Sequence, residues 1–135
     1  MVEDELEIMR VLSLYGHVVD DDDLDRLDEV FAKDAVLKPT LTGEWRGIDE
    51  IRRYFREFVP SQPIPTIAHH VTNPVVDVAP DRSTAVARSK TLAFRKDLGN
   101  ITGEYRDNLV RTPEGWRISY RTIVRRTRFS TDPTE

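Results

Sequence analysis

The chain has no cysteine, which excludes disulfides, thiolate metal sites and a cysteine nucleophile. It carries no glycine-rich phosphate loop and no nucleophile elbow, so the commonest routes to nucleotide chemistry and serine hydrolysis are absent. No apolar run approaches membrane-spanning length. Residues 1–10 are acidic and helix-patterned, unlike a secretory leader, so the expectation is a cytoplasmic protein with no membrane partner. Histidine is scarce, with only His17, His69 and His70. What is present fits one folded domain: 135 residues, 39% hydrophobic and 33% charged, a balance that argues against disorder.

Charge is divided unevenly, with a net of −10 over residues 1–50 and +6 over residues 51–135. The basic half does not read as a nucleic-acid surface, because its arginines are spread along strand patterns rather than packed into a block. Arg117, Arg121 and Arg125 fall on every fourth residue of a strand and are expected on a solvated or subunit-facing sheet surface.

Leu6, Met9, Leu12, Leu14 and Val18 recur at helical spacing and predict a helix over Glu3–Val19. The run Asp20–Asp23 is read as the start signal of a second, shorter helix carrying Leu24, Leu27, Val30 and Phe31. A calcium loop would need alternating ligands, a turn glycine and a closing glutamate, which are missing. Asp34–Leu41 reads as a short strand, with Pro39 at an edge or bulge. Gly43 and Gly47 bracket a turn before a third helix marked by Ile48, Ile51, Tyr54, Phe55 and Phe58, which Pro60, Pro63 and Pro65 break. Four strands follow, Thr66–Val78, Ser83–Arg95, Ile101–Arg111 and Trp116–Phe129, with turns at Pro80-Asp81, Leu98-Gly99-Asn100 and Pro113-Glu114-Gly115. Helices first and antiparallel hairpins after is an α+β order: three helices on a curled antiparallel sheet, enclosing an apolar mouth for one small hydrophobic molecule. Residues 1–129 form one domain, and 130–135 a frayed tail.

Adjacent His69 and His70 open the first long strand, where alternation sends them to opposite faces. An inward imidazole is a candidate proton-transfer group. Adjacent strand histidines cannot chelate one ion, and a site from His17, His69 and Asp20 is set aside, so no metal and no cofactor is expected.

Leu14-Tyr15 with Asp20 and Asp23-Leu24-Asp25, Phe31-Ala32-Lys33-Asp34-Ala35-Val36, Gly47-Ile48 with Phe55, His69-His70-Val71-Thr72-Asn73, Gly103-Glu104-Tyr105-Arg106-Asp107 and Gly115-Trp116-Arg117-Ile118 appear in order. In this order the chain resembles the SnoaL-like branch of the NTF2-like (cystatin-like cone) superfamily over residues 3–128. That superfamily includes polyketide cyclases, scytalone dehydratase, ketosteroid isomerase and the small subunits of ring-hydroxylating dioxygenases. The resemblance implies a His–Asp dyad of His69 and Asp20, with Tyr15 as a hydrogen-bond donor to a developing enolate oxygen. It also shows departures. The isomerase base corresponds to Pro39 and its second oxyanion group to Asn108, while the dehydratase's water-holding tyrosines correspond to Val19 and Pro39, so neither mechanism transfers whole. If the strand register slips by one, His70 replaces His69.

Further substrate contacts are expected from Asn73, four residues beyond His69, and from Tyr105, Asp107 and Asn108. Trp45 and Phe55 are expected in the pocket wall. Arg121 is the natural partner of Asp107. The expected activity is a cofactor-independent lyase, isomerase or cyclase acting on a small apolar carbonyl compound of polyketide, steroid or terpenoid type. The alternative is a non-catalytic ligand-binding or subunit-assembly cone. Either is expected to be a homo-oligomer, dimer or trimer, without nucleic acid.

Overall fold

The N-terminal helix α1 spans Val2–Asp20, and its buried stripe is Asp4, Ile8, Val11, Leu12, Tyr15 and Val18. Leu6 and Met9, expected inside, are exposed, because the face that meets the sheet runs from Asp4 through Ile8 at a four-residue step. The computed structural model describes residues 1–40, 42–63, 66–95 and 100–126. The turn expected at residues 98–100 therefore falls largely outside the described residues, as do Pro65 and the tail 130–135.

The expected second helix is a short 3-10 segment, Leu24–Glu29. Asp23 occupies its cap position without a side-chain cap bond and pairs with Arg26 instead. The segment ends early because the Val30 carbonyl accepts the Ile118 N–H (2.9 Å), drawing the chain into the sheet. Strand β1 is thus Phe31–Lys38, with Pro39 just beyond it, and a two-residue strand β2, Trp45–Arg46, follows. Gly47, at φ 85°, starts helix α2, Ile48–Arg53. The helical run then widens through a π turn, Tyr54–Phe58, into α3, Val59–Ser61. Pro60 does not break it, since it lies in the first turn of α3, where a proline needs no amide hydrogen.

Strands β3 (Thr66–Val78), β4 (Thr84–Arg95), β5 (Asn100–Thr112) and β6 (Gly115–Arg126) complete a six-stranded sheet of order β2-β1-β6-β5-β4-β3. Neighbours are antiparallel except β1 and β6, which run parallel. The sheet is therefore mixed rather than wholly antiparallel: β1 lies beside a strand distant in sequence, and no hairpin dictates its direction. Helix α1 lies across β3 and β6. Near its N-terminus, buried Asp4 accepts hydrogen bonds from Trp116 Nε1 (3.1 Å), Arg82 Nε (2.6 Å) and Arg111 Nη2 (2.5 Å). The other end of α1 reaches the first residues of β3, where the candidate site lies. Among the described residues, no helix is long and apolar enough to cross a membrane.

Candidate functional site

The inward face of β4 reads Ala85, Ala87, Ser89, Thr91 and Ala93, all buried and all small. A sheet face of small side chains cannot fill the space beneath the helices, and a cavity of about 440 Å³ opens at its wide end. Tyr54, Phe55, Phe58 and Val59 from the π turn and α3 form one wall, and Tyr15, Tyr105 and Thr91 line its inner part with hydroxyls. His69 also lines this cavity.

His69 pairs with Ala93 across the sheet and shares its inward face, whereas His70 pairs with Leu92 and meets Phe94 edge-on on the other face. The C-terminal turn of α1 brings Asp20 to His69. Asp20 Oδ1 accepts from Nδ1 at 2.6 Å, and Oδ2 accepts the His69 backbone N–H at 2.7 Å. Two bonds to one carboxylate fix both the residue and its ring. Because an ionised carboxylate only accepts, a neutral ring bonded to it in this way carries its proton on Nδ1 and keeps its lone pair on Nε2. The approach depends on Gly16, where a Cβ would stand 2.9 Å from the His69 carbonyl oxygen.

Tyr15 is the hub of the interior. Its ring meets those of Phe31, Phe55, His69 and Tyr105 edge-on, with centroids 5.4–6.1 Å apart. The Tyr15 and Tyr105 rings meet edge-on, and Thr91 Oγ1 donates to the Tyr105 hydroxyl at 3.2 Å. Beneath both rings lies Arg121, 0% exposed, with its guanidinium carbon 4.0 Å from the Tyr105 centroid and 4.3 Å from that of Tyr15. Arg121 Nε and Nη2 each donate to Asp107 at 2.8 Å, the planar two-point geometry expected of a charge-assisted pair. Burial raises the Tyr15 phenol well above its ordinary pKa and raises that of Tyr105 too, with Arg121 opposing the change in both. Burial also pushes Tyr54 up to about 12. All three are therefore neutral hydroxyls at physiological pH.

Several expected site residues lie elsewhere. Asn73 is exposed at φ 54° in a bulge between Thr72 and Val75, which takes it off the inward face. Asn108 is exposed on the outer face of the sheet. Asp107 is inward but fully engaged by Arg121, and Trp45 packs against Tyr54 and Phe58 behind the cavity wall. Phe55 and Tyr105 do line the cavity. His17 is exposed and makes no bond to Asp20, whose carboxylate His69 occupies. The arginines of β6 do not share a solvated face: a bulge opposite Asn108–Leu109 switches the alternation at Ser119, so Arg121 is buried and Arg125 lines the cavity. The sequence reading overlooked Thr91, Tyr54 and Arg125. The run of small residues alternating along β4 was the legible signal for Thr91, whereas Arg125 depended on an unseen bulge. Among the described residues, no three His, Asp or Glu side chains converge as metal donors.

A SnoaL-like domain family matches residues 1–122. An uncharacterised Mycobacterium tuberculosis protein is 32% identical over 125 residues, covering 87% of this chain and 82% of its own. A Nostoc punctiforme protein with a cystatin-like fold superimposes with TM-score 0.79 at 20% identity, over 93% of each chain. A candidate scytalone dehydratase from Novosphingobium aromaticivorans superimposes with TM-score 0.75 at 20% identity, over 94% of this chain and 89% of its own. With its helices on a mixed six-stranded sheet, this chain belongs to the SnoaL-like family of the NTF2-like, cystatin-like fold.

Proposed function

We propose that the protein is a cofactor-independent lyase, isomerase or cyclase that abstracts a proton next to the carbonyl of a small, mostly apolar compound of polyketide, steroid or terpenoid type. One observation carries this reading: Asp20 holds Nδ1 of His69, so the ring nitrogen left with a lone pair belongs to a side chain lining the cavity. Nε2 takes the proton from carbon, and the C–H electron pair moves into the carbonyl to form an enolate. The negative charge on the new imidazolium's partner, Asp20, stabilises that state. The hydroxyls of Tyr15 and Tyr105, which line the cavity, donate hydrogen bonds to the enolate oxygen. The enolate then expels a leaving group, takes a proton back from His69 at another carbon, or attacks a second carbonyl. These three outcomes are the lyase, isomerase and cyclase forms of one step. The family's SnoaL-like membership and the dehydratase-like neighbour support this class without naming a substrate.

The test is deuterium exchange from solvent into a panel of aryl and alicyclic ketones, followed by NMR. Wild type is expected to exchange an α-proton, with His69→Ala and Asp20→Asn slower by about 10²–10⁴-fold. Full exchange in both variants refutes the dyad. The same reading takes the protein as a homo-oligomer, dimer or trimer, through the outer sheet face, where Val75 and Val86 are half exposed; light scattering of wild type and Val86→Glu reads this directly.

A further inference from the structure

Among the described residues that line the cavity, the charged side chains are all of one sign. Among its described lining residues are two arginines, Arg95 and Arg125, and no carboxylate. Elsewhere in the chain Arg26, Arg82, Arg106, Arg111, Arg121 and Arg126 all stand within ion-pair distance of an acid. The Arg125 guanidinium has no hydrogen bond and no acid within 4 Å among the described residues, although its main chain is held firmly. Thr40, just past the end of β1, donates its hydroxyl to the Ile123 carbonyl (2.6 Å) and accepts the Arg125 N–H (3.1 Å). That clamp fixes the start of the side chain at the cavity wall.

Strand register places the unpaired guanidinium relative to the dyad. Val71, Thr91, Gly103 and Arg125 form one rung across β3 to β6, and His69, Ala93 and Ile101 form the next inward rung. At Gly103 an added Cβ would collide with the Val124 carbonyl oxygen and press on Thr91 Cγ2, so β6 closes tightly over this rung and no side chain fits between Thr91 and Arg125. His69 and Arg125 stand on strands three spacings apart, roughly 14 Å along the sheet and less across a curled one. A neutral ligand filling this space would strip water from Arg125 and return nothing, which disfavours it.

The geometry points to a ligand that is a carboxylic acid: a flat, largely apolar molecule whose carboxylate is taken by Arg125, with its reactive carbon at the opposite end, facing His69. The chain's overall charge of −4 does not oppose this, since charges beyond about 8 Å are screened at physiological salt. The inference rests on reading the cavity as the substrate site, and it is independent of the dyad's chemistry.

Two fluorescent probes that differ only in the charge test it: 6-hydroxy-2-naphthoic acid and its methyl ester. Each is titrated into wild type, Arg125→Gln, Arg125→Lys and His69→Ala, with thermal melts establishing that each variant is folded. Wild type is expected to bind the acid at least tenfold more tightly than the ester, the scale of one charge-assisted contact. Arg125→Gln should abolish that preference while leaving ester binding within about threefold, and Arg125→Lys should restore part of it, because the charge returns without the planar fork. His69→Ala should keep the preference, so loss of proton exchange in that variant reports on the dyad alone. Equal binding of the two probes by wild type, failure of both to bind, or a preference that survives in Arg125→Gln overturns the proposal.

Discussion

Phenol hydroxyls are useful to a developing enolate only while they keep their protons, and the packing of Tyr15 and Tyr105 ensures this. Both are raised by burial, and Tyr54 reaches about 12 for the same reason. A phenol whose folded pKa exceeds its unfolded value of about 10 contributes stability that is complete below pH 10. That contribution is lost as pH rises through the folded value. An absorbance titration at 295 nm, read beside far-UV circular dichroism, should therefore show Tyr54 ionising near pH 12 and Tyr15 and Tyr105 later than a free phenol, or all three together with unfolding. A step near pH 10 in folded protein that disappears in Tyr15→Phe would mean that Tyr15 is solvated. Arg121 shows why such a site resists reading from sequence. Its spacing from Arg117 and Arg125 suggested one exposed row, yet the Ser119 bulge buries Arg121 on Asp107 and leaves Arg125 facing the cavity.

Where α1 passes β3, the spacing of two elements decides whether the dyad exists. Alanine normally favours a helix interior over glycine by about 1 kcal/mol. At Gly16 the balance reverses, because the added Cβ meets the His69 carbonyl oxygen, a backbone atom that can yield only if the strand moves. Gly16→Ala is expected to destabilise the fold by about 1–3 kcal/mol in urea unfolding. It should also lengthen the Asp20–His69 contact, read as a changed His69 ring nitrogen shift by NMR. Unchanged stability and an unchanged ring signal would show that α1 does not set this distance. Strand β3 was legible to the residue, since Thr66–Val78 alternates and is bounded by prolines and a turn. The Asp20–His69 pairing was legible through family resemblance. Pro74, which cannot donate to the strand ladder, marks the bulge at Asn73, whereas the one at Ser119 follows from the partner strand's register and leaves no mark in the residue pattern. The parallel β1–β6 contact escaped for a related reason: periodicity identifies a strand but not its neighbour.

At the scale of the molecule the two ends of α1 do different work. Asp4 and Asp20 are separated by sixteen residues of helix, roughly 24 Å. Asp20 holds His69, while Asp4 ties α1 to Arg82, Arg111 and Trp116. Its hydrogen bond from Arg82 and then that from Trp116 hold its carboxyl far below the usual carboxylate range. A folded pKa depressed in this way contributes stability that is present above the unfolded value near 4 and lost as pH falls toward the folded one. Urea midpoints should thus fall between pH 5 and 3 in wild type and fall less steeply in Asp4→Asn, which begins lower. Parallel slopes would assign acid sensitivity to other carboxylates. The β1–β6 pairing also has a consequence in time. As the chain leaves the ribosome, β1 emerges some eighty residues before the strand it must lie against, at register pairs such as Phe31 with Ile118. Asp20 can meet His69 once β3 is out, but Arg121 and Arg125 arrive with β6, so the nascent chain can form the Asp20–His69 pair before it has a floor beneath the cavity.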